Sequence, residues 1–452
     1  MEQTYTLKQK LKQFIRILLP ILVTQVLLQA MSFFDTTMSG QAGTEDLAGV
    51  AIGANIWLPV QTGLHAVLLA ITPIVSQLVG AKKEDKIPAM VAQALYLSIF
   101  ISLLTISLGA LGLKPILATM DLERAVERIA FRYLAALSIG IVPYFAYTVL
   151  RAFIDALGKT NMTMLITFLT LPTNIFLNYA FIFGKFGFPR LGGVGAGIAT
   201  SLTYWIILII TITVILKVAP FTRYKILSRF YPISRGKQWE IIKIGMPMGF
   251  ATCAETAVFS VVTLLMSVFN TATIAAHQAA MNFETFFFMV PLSISMALTI
   301  LVGFEVGARR FSDARKYQQI GLGTSLAFSV ISGLSIFLLK EQVALFYSKD
   351  PEVITLTQQF LIYAVFFQMS DAIAIPTQGI LRGYKEVTIP SIMGFAAHWI
   401  VGLPLGFLLA NYTNLGPFGY WIGLITGVTS AAIGLFSRLV WLQRKIRKKA
   451  SR

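Results

Sequence analysis

The sequence predicts an all-α membrane protein, with twelve transmembrane helices in two six-helix lobes related by a parallel internal repeat. Three observations carry that expectation. Of 452 residues, 56% are hydrophobic and 13% charged, with a mean hydropathy of +0.73, whereas a soluble chain holds about 25% charged residues. Twelve mostly apolar runs are each long enough to cross about 30 Å of hydrocarbon as a helix. The second half of the chain repeats the first at a shift of 227 residues. Together these exclude a soluble globular enzyme.

The runs lie at 14–38, 47–79, 88–113, 129–150, 161–184, 193–216, 239–268, 274–304, 317–339, 355–381, 387–410 and 417–441. The first follows Lys8, Lys10, Lys12 and Arg16. It resembles the start of a signal peptide, but it is too long and no small-residue cleavage pattern closes it, so it is a retained span. Cys253 is the single cysteine, which rules out an intrachain disulfide and any CxxC metal or redox motif.

The net charge of +17, from 37 Lys and Arg against 20 Asp and Glu, would suggest a nucleic-acid partner in a soluble protein. In a membrane protein it is first a topological signal. With a cytoplasmic N-terminus, 27 basic residues fall inside, 8 outside, and only Lys243 and Arg438 within spans. That bias sets both termini in the cytoplasm of an inner-membrane protein. The terminal RKIRKK is then a headgroup-facing tail, and no nucleic acid is expected.

The repeat aligns Pro20 with Pro247, Ala48 with Ala275, and VGAKK from Val79 with VGARR from Val306. With small gaps, LRAF at Leu150 falls on LRGY at Leu381, and LGGVG at Leu191 on LGPFG at Leu415. An even number of spans per half makes the repeat parallel, about an axis along the membrane normal. The expected organisation is an N-terminal lobe over 1–216, a basic cytoplasmic linker over 217–238, a C-terminal lobe over 239–441 and a basic tail over 442–452. Two such lobes suit alternating access about a central site.

Most acidic residues lie in connections, but Asp35, Glu255, Glu284 and Asp371 fall inside spans. A charge at the bilayer centre costs at least ~2.5 kcal/mol, so these groups face a cavity and mark an ion or substrate path. Polar residues keep them company at helical spacing: Gln25 and Ser32 with Asp35, Gln368 and Gln378 with Asp371, and Asn174 with Asn178. Each stripe could equally bond one helix to the next. A desolvated carboxylate can hold a proton near neutral pH, and a cavity rich in oxygen could instead hold a sodium ion, with Glu255 and Asp371 the possible site. Phe259 on the seventh span and Phe283 on the eighth, with Gln278, are candidates to line an adaptable pocket for flat organic cations. His65, His277 and His398 are far apart in sequence and are expected to be packed residues rather than metal ligands. No GxxxxGK[ST] occurs, which argues against direct ATP coupling, and no nucleophile and base suggest an enzyme.

FFDTTMSG at Phe33, DLAGVAIGANIWLP at Asp46, PIVSQLVGA at Pro73, PTNIFLNYAFIFGKFGFPRLGGVGAGIATSLTYW at Pro172, AETAVFSVV at Ala254, IAAHQAAMNF at Ile274 and MSDAIAIPTQGILRGYK at Met369 occur in this order. They resemble the MATE multidrug and toxin extrusion transporters, and within them the NorM branch. The resemblance spans all twelve helices. It implies a secondary antiporter, with no cofactor and expected to be monomeric, that exports cationic amphipathic drugs and dyes in exchange for protons or sodium ions. It further implies that Asp35, with Asn174 and Asn178 nearby, is the first-helix carboxylate of the N-lobe. By the same resemblance Glu255 and Asp371 are the C-lobe cation pair, and Pro20 is the proline at which the first helix bends. The fifth span carries asparagines where the archaeal branch has an additional acid, and Glu284 matches no family motif. The competing function is a flippase of a lipid-linked polyanionic precursor, which shares the superfamily fold and would need a cleft lined by Arg and Lys.

Overall fold

Apolar helices form here because the bilayer offers no partner to a free peptide group, so each span must bond its own backbone. Its hydroxyls follow the same rule. Thr24, Thr170 and Thr211 each donate to the carbonyl four residues earlier. The computed structural model describes residues 1, 3–120 and 122–450. Among these, eleven helices are long and apolar enough to span a membrane, and one bent pair brings the number to twelve.

The helices of the first half are α1 (Leu7–Ala42), α2 (Thr44–Leu68), α3 (Ile71–Gly80), α4 (Ile87–Ala118), α5 (Arg124–Ser138), α6 (Ile141–Ala156), α7 (Thr160–Phe183) and α8 (Gly193–Lys217). The second expected span is α2 with α3. The fourth is the pair α5 and α6, bent by 49°. The bend sits at Gly140, where a Cβ would meet Ser201 Cα of α8 at 2.8 Å, and Pro143 follows in the first turn of α6.

The second half contains α9 (Arg235–Met266), α10 (Thr271–Gly307), α11 (Phe311–Tyr347), α12 (Pro351–Gly383), α13 (Thr388–Phe395), a π-helical segment (Ala396–Gly402), α14 (Leu403–Tyr412) and α15 (Pro417–Ala450). The eleventh expected span is thus α13 and α14 joined through the π segment, in which the Leu403 N–H bonds back to His398 O. The cause is next in sequence: Pro404 has no N–H to give the Ile400 carbonyl, so the ladder lengthens by one residue before it. The basic tail continues α15 to Ala450; residues 451–452 lie outside the described part.

The chain forms two compact units. One is Leu19–Gly249; the other joins the segment ending at Leu18 to the chain from Phe250 onward. Both changes of unit occur inside a helix, beside Pro20 in α1 and beside Pro247 in α9, which are the residues that the repeat aligns. In the first unit, Asp46 Oδ1 accepts from Gly193 N at 2.6 Å. Gly192 there has φ +55, and a Cβ would run into the same carboxylate, so the LGG motif provides both the left-handed turn and the close approach. In the second unit, buried Lys10 bonds Asp313 at 2.9 Å and the Thr4 carbonyl at 2.8 Å, while Arg310 reaches the same carbonyl at 2.6 Å.

Glycines also seat α14 against α15. A Cβ on Gly423 would lie 2.5 Å from Gly406 Cα, a backbone atom that cannot swing away. Gly423→Val is expected to destabilise this unit by about 1–3 kcal/mol through overpacking. A lowered thermal midpoint of the detergent-solubilised protein checks this, and an unchanged midpoint would contradict it.

Candidate functional site

In the first unit the site is built on Asp35. Helix α1 continues to Ala42, so Asp35 lies about 10 Å inside its end, deeper than a span closing at residue 38 implies. Asn178 Nδ2 of α7 donates to Asp35 Oδ1 at 2.5 Å, and Thr200 Oγ1 of α8 donates to Oδ2 at 3.2 Å. The second Asn178 proton goes to Asn174 Oδ1 at 3.2 Å, and Asn174 in turn donates to Thr203 at 3.4 Å. Both asparagines are fully buried, and Asn178 Oδ1 is left without a partner. These donors are neutral. They orient the carboxylate and leave its charge uncancelled.

Gln25 is not part of that cluster. It accepts from Arg151 Nη2 at 3.3 Å, and Arg151 is the residue the sequence misplaced. A span limit at 150 put Arg151 in a cytoplasmic connection, but α6 runs to Ala156 and buries it, 5% exposed. Arg151 faces Asp155 at 3.5 Å one turn on, and Asp155 accepts from Thr163 at 2.6 Å. The pair compensates itself, and the i, i+4 spacing of Arg and Asp was its signal. Lys243 and Arg438 are therefore not the only basic residues within helices. Arg382, half-buried on α12, was assigned to a connection too, and it donates to Gln378 at 2.9 Å. Glu305 is likewise buried inside the end of α10, 3.5 Å from Arg310.

In the second unit, Glu255 of α9 and Asp371 of α12 line one cavity with Gln378, His398 and Trp399. Its volume of about 20 Å³ is room for roughly one water-sized occupant. Glu284 of α10 is buried with Oε1 unpartnered, and it acts electrostatically on Asp371, as does Glu255. Acidic groups from three helices thus act on one another at Asp371. Among the described residues, no three His, Cys, Asp or Glu side chains converge as a metal site.

The remaining expected lining residues stand apart from that cavity. Gln368 donates to Ser332 at 2.6 Å, tying α12 to α11. Phe259 packs edge-on against Phe367, Phe283 packs against Phe287, and Gln278 is exposed on α10. Two of the histidines are packed as expected: His65 contacts Tyr144 and Thr148, and His277 contacts Thr263 and accepts from Trp421 Nε1. Thr200 and His398 are the site residues that sequence periodicity missed.

A family model described as MatE matches residues 20–180 and 247–408. The two matches begin 227 residues apart, at the aligned prolines. This chain belongs to the MATE family. It is 55% identical over 450 residues to the "Probable multidrug resistance protein NorM" of Halalkalibacterium halodurans, covering 100% of this chain and 98% of that one. The protein of the same description from Bacillus subtilis is 52% identical over 449 residues, covering 99% of each. The fold matches a crystal structure of MATE in the bent conformation with TM-score 0.88 at 19% identity, covering 100% of both chains. It also matches the Vibrio cholerae MATE transporter VcmN in the bent form with TM-score 0.87 at 19% identity, covering 97% of this chain and 98% of that one. The chain is a multi-pass membrane transporter of the NorM-like kind, not an enzyme.

The two acidic settings of this MATE-family unit separate by stability. Asp155→Ala strands the buried Arg151 guanidinium and is expected to cost about 3–5 kcal/mol. Asp35→Asn keeps neutral donors opposite a neutral acceptor and is expected to stay within about 1 kcal/mol. Denaturation in detergent distinguishes them, and equal losses would contradict the division.

Proposed function

We propose that this transporter exports cationic amphipathic drugs and dyes in exchange for protons or sodium ions, by alternating access. The observation that carries the proposal is Asp35: an intramembrane carboxylate held by neutral donors has no reason to persist unless a cation visits it. The cavity shared by Glu255 and Asp371 gives the second unit a corresponding acidic locus. The parallel repeat supplies two similar units, and the description of the bacterial relatives as probable multidrug resistance proteins supports drugs as cargo. A coupling ion shifts such an equilibrium only by binding the two states differently, which a carboxylate that changes solvation achieves. The Lys and Arg bias supports the inner membrane with both termini in the cytoplasm, and a monomer suffices for the cycle.

The flippase alternative needs uncompensated positive charge to hold a polyanion. The buried Arg151 is offset by Asp155, and both acidic loci would repel such a substrate.

Purified protein in proteoliposomes is expected to move a cationic dye when a proton or sodium gradient is imposed. Asp35→Asn, Glu255→Gln and Asp371→Asn are each expected to slow it by about tenfold or more, the loss of one charge-assisted interaction. Wild-type rates in all three variants would remove these residues from the mechanism.

A further inference from the structure

The basic linker borders a cavity that plays no part in the proposed transport. Over 217–238 it carries six Lys and Arg and no Asp or Glu, and it is fixed to the first unit at two places. Phe221 and Tyr224 pack edge-on against buried Phe153 of α6, with ring centroids at 6.3 and 5.5 Å. Further on, Tyr96 of α4 donates to the Tyr231 carbonyl at 2.9 Å and Gln93 to the Pro232 carbonyl at 2.8 Å, while the Ser234 N–H donates to Gln93 at 3.0 Å. Between these anchors, residues 226–230 and one face of α4 line a cavity of about 330 Å³. That is within the range of small-molecule sites, about 300–1,000 Å³.

Its walls have two chemistries. Ala92, Leu95 and Tyr96 of α4 face Ile226, Leu227 and Phe230 of the linker, and Ser228 and Arg229 lie beside them. The α4 residues form one helical stripe, which continues into Ile99, Phe100 and Leu103. These three are exposed on a helix long and apolar enough to span the membrane, so the apolar wall runs on into a hydrocarbon-facing surface. At 1.5 Å per residue, Ala92 and Tyr96 lie about 8 and 14 Å beyond Ile87, where α4 starts. Exposed Lys82, Lys83 and Lys86 just before that start mark the headgroup level. Phe230 is 83% exposed, an apolar side chain where a solvated loop offers a polar one. Arg229 has no hydrogen bond or ion pair among the described residues, whereas Arg223 is held by Glu84 at 2.6 Å.

We propose that this cavity binds an anionic phospholipid of the surrounding bilayer, with an acyl chain along Leu95 and Ile99 and the headgroup phosphate against the Arg229 guanidinium and the Ser228 hydroxyl. A guanidinium offers paired donors that match phosphate oxygens. The linker's uniformly basic charge sets the preference for a net negative lipid over a zwitterionic one. A soluble anion would use Arg229 and leave the apolar wall unmet, and a soluble peptide would not use the stripe that continues into hydrocarbon. In the topology proposed above the lipid comes from the cytoplasmic leaflet. It fills the gap between α4 and the connection joining the two halves of the repeat, and so braces that connection. The site shares no residue with the Asp35 cluster, and the inference is independent of the coupling ion.

The test is native mass spectrometry of the full chain in detergent, titrated with phosphatidylglycerol or with phosphatidylcholine of the same acyl chains. One phosphatidylglycerol is expected to be retained about fivefold or more tightly than phosphatidylcholine. Arg229→Ala is expected to abolish that preference, and Arg229→Lys, which keeps the charge, to retain most of it. Leu95→Trp fills the apolar end and is expected to lose tight binding of either lipid. Leu227→Trp fills the same cavity from an exposed linker position, away from the spans, and is expected to do the same. Arg444→Ala, on the basic tail, is expected to bind as the wild type does. No preference in the wild type, a preference that survives Arg229→Ala, tight binding that survives Leu227→Trp, or an equal loss in Arg444→Ala would each overturn the assignment. Displacement of the lipid by an equal concentration of glycerol 3-phosphate would also overturn it, because the site would then be one for soluble anions.

Discussion

Hydrocarbon does not solvate charge, and the distribution of every ionic group in this protein follows from that. Deep charges come in two kinds. Some are cancelled locally, as Arg151 is by Asp155 at 3.5 Å. Others are oriented rather than paired: Asp35 by an amide and a hydroxyl, and Asp371 in a small cavity shared with Glu255, on which Arg382 acts electrostatically. The first kind is structural, because removing one partner strands the other. The second kind stores an unmet demand for positive charge, which the proposed exchange would use.

Helix-breaking residues organise the same fold at a larger scale. Pro20 and Pro247 occur where α1 and α9 pass from one compact unit to the other. Their alignment by the internal repeat makes the exchange a property of the duplicated design rather than of one helix. Pro404 acts locally, lengthening one turn into a π segment and turning His398 to the acidic cavity. Close glycine contacts, such as Gly423 on Gly406, then fix the neighbouring helices against each other.

Much of this was legible in the sequence, for physical reasons. The twelve spans show because a bilayer sets their length, and the repeat shows because both halves solve the same packing problem. The association of Asp35 with Asn174 and Asn178 was reached by resemblance, and the hydrogen bonds give it a form. What escaped had equally physical causes. A hydropathy window stops at the first charge, so a self-compensated pair such as Arg151 and Asp155 reads as the start of a loop. Gln25 shares a helical stripe with Asp35, yet bonds Arg151 from a different helix. A 3.6-residue period cannot foresee the π turn, so His398 looked like any packed histidine. The 49° bend at Gly140 depends on the approach of α8, a tertiary contact invisible to local pattern.

In the proposed exchange, substrate cation and coupling cation compete for the deep carboxylates. Calorimetric binding of a cationic dye to the purified protein, repeated across pH and sodium concentration, tests it most directly. Dye affinity is expected to fall as the coupling cation becomes more available, and Asp35→Asn is expected to weaken that dependence. An affinity indifferent to both pH and sodium, in wild type and variant alike, would contradict it.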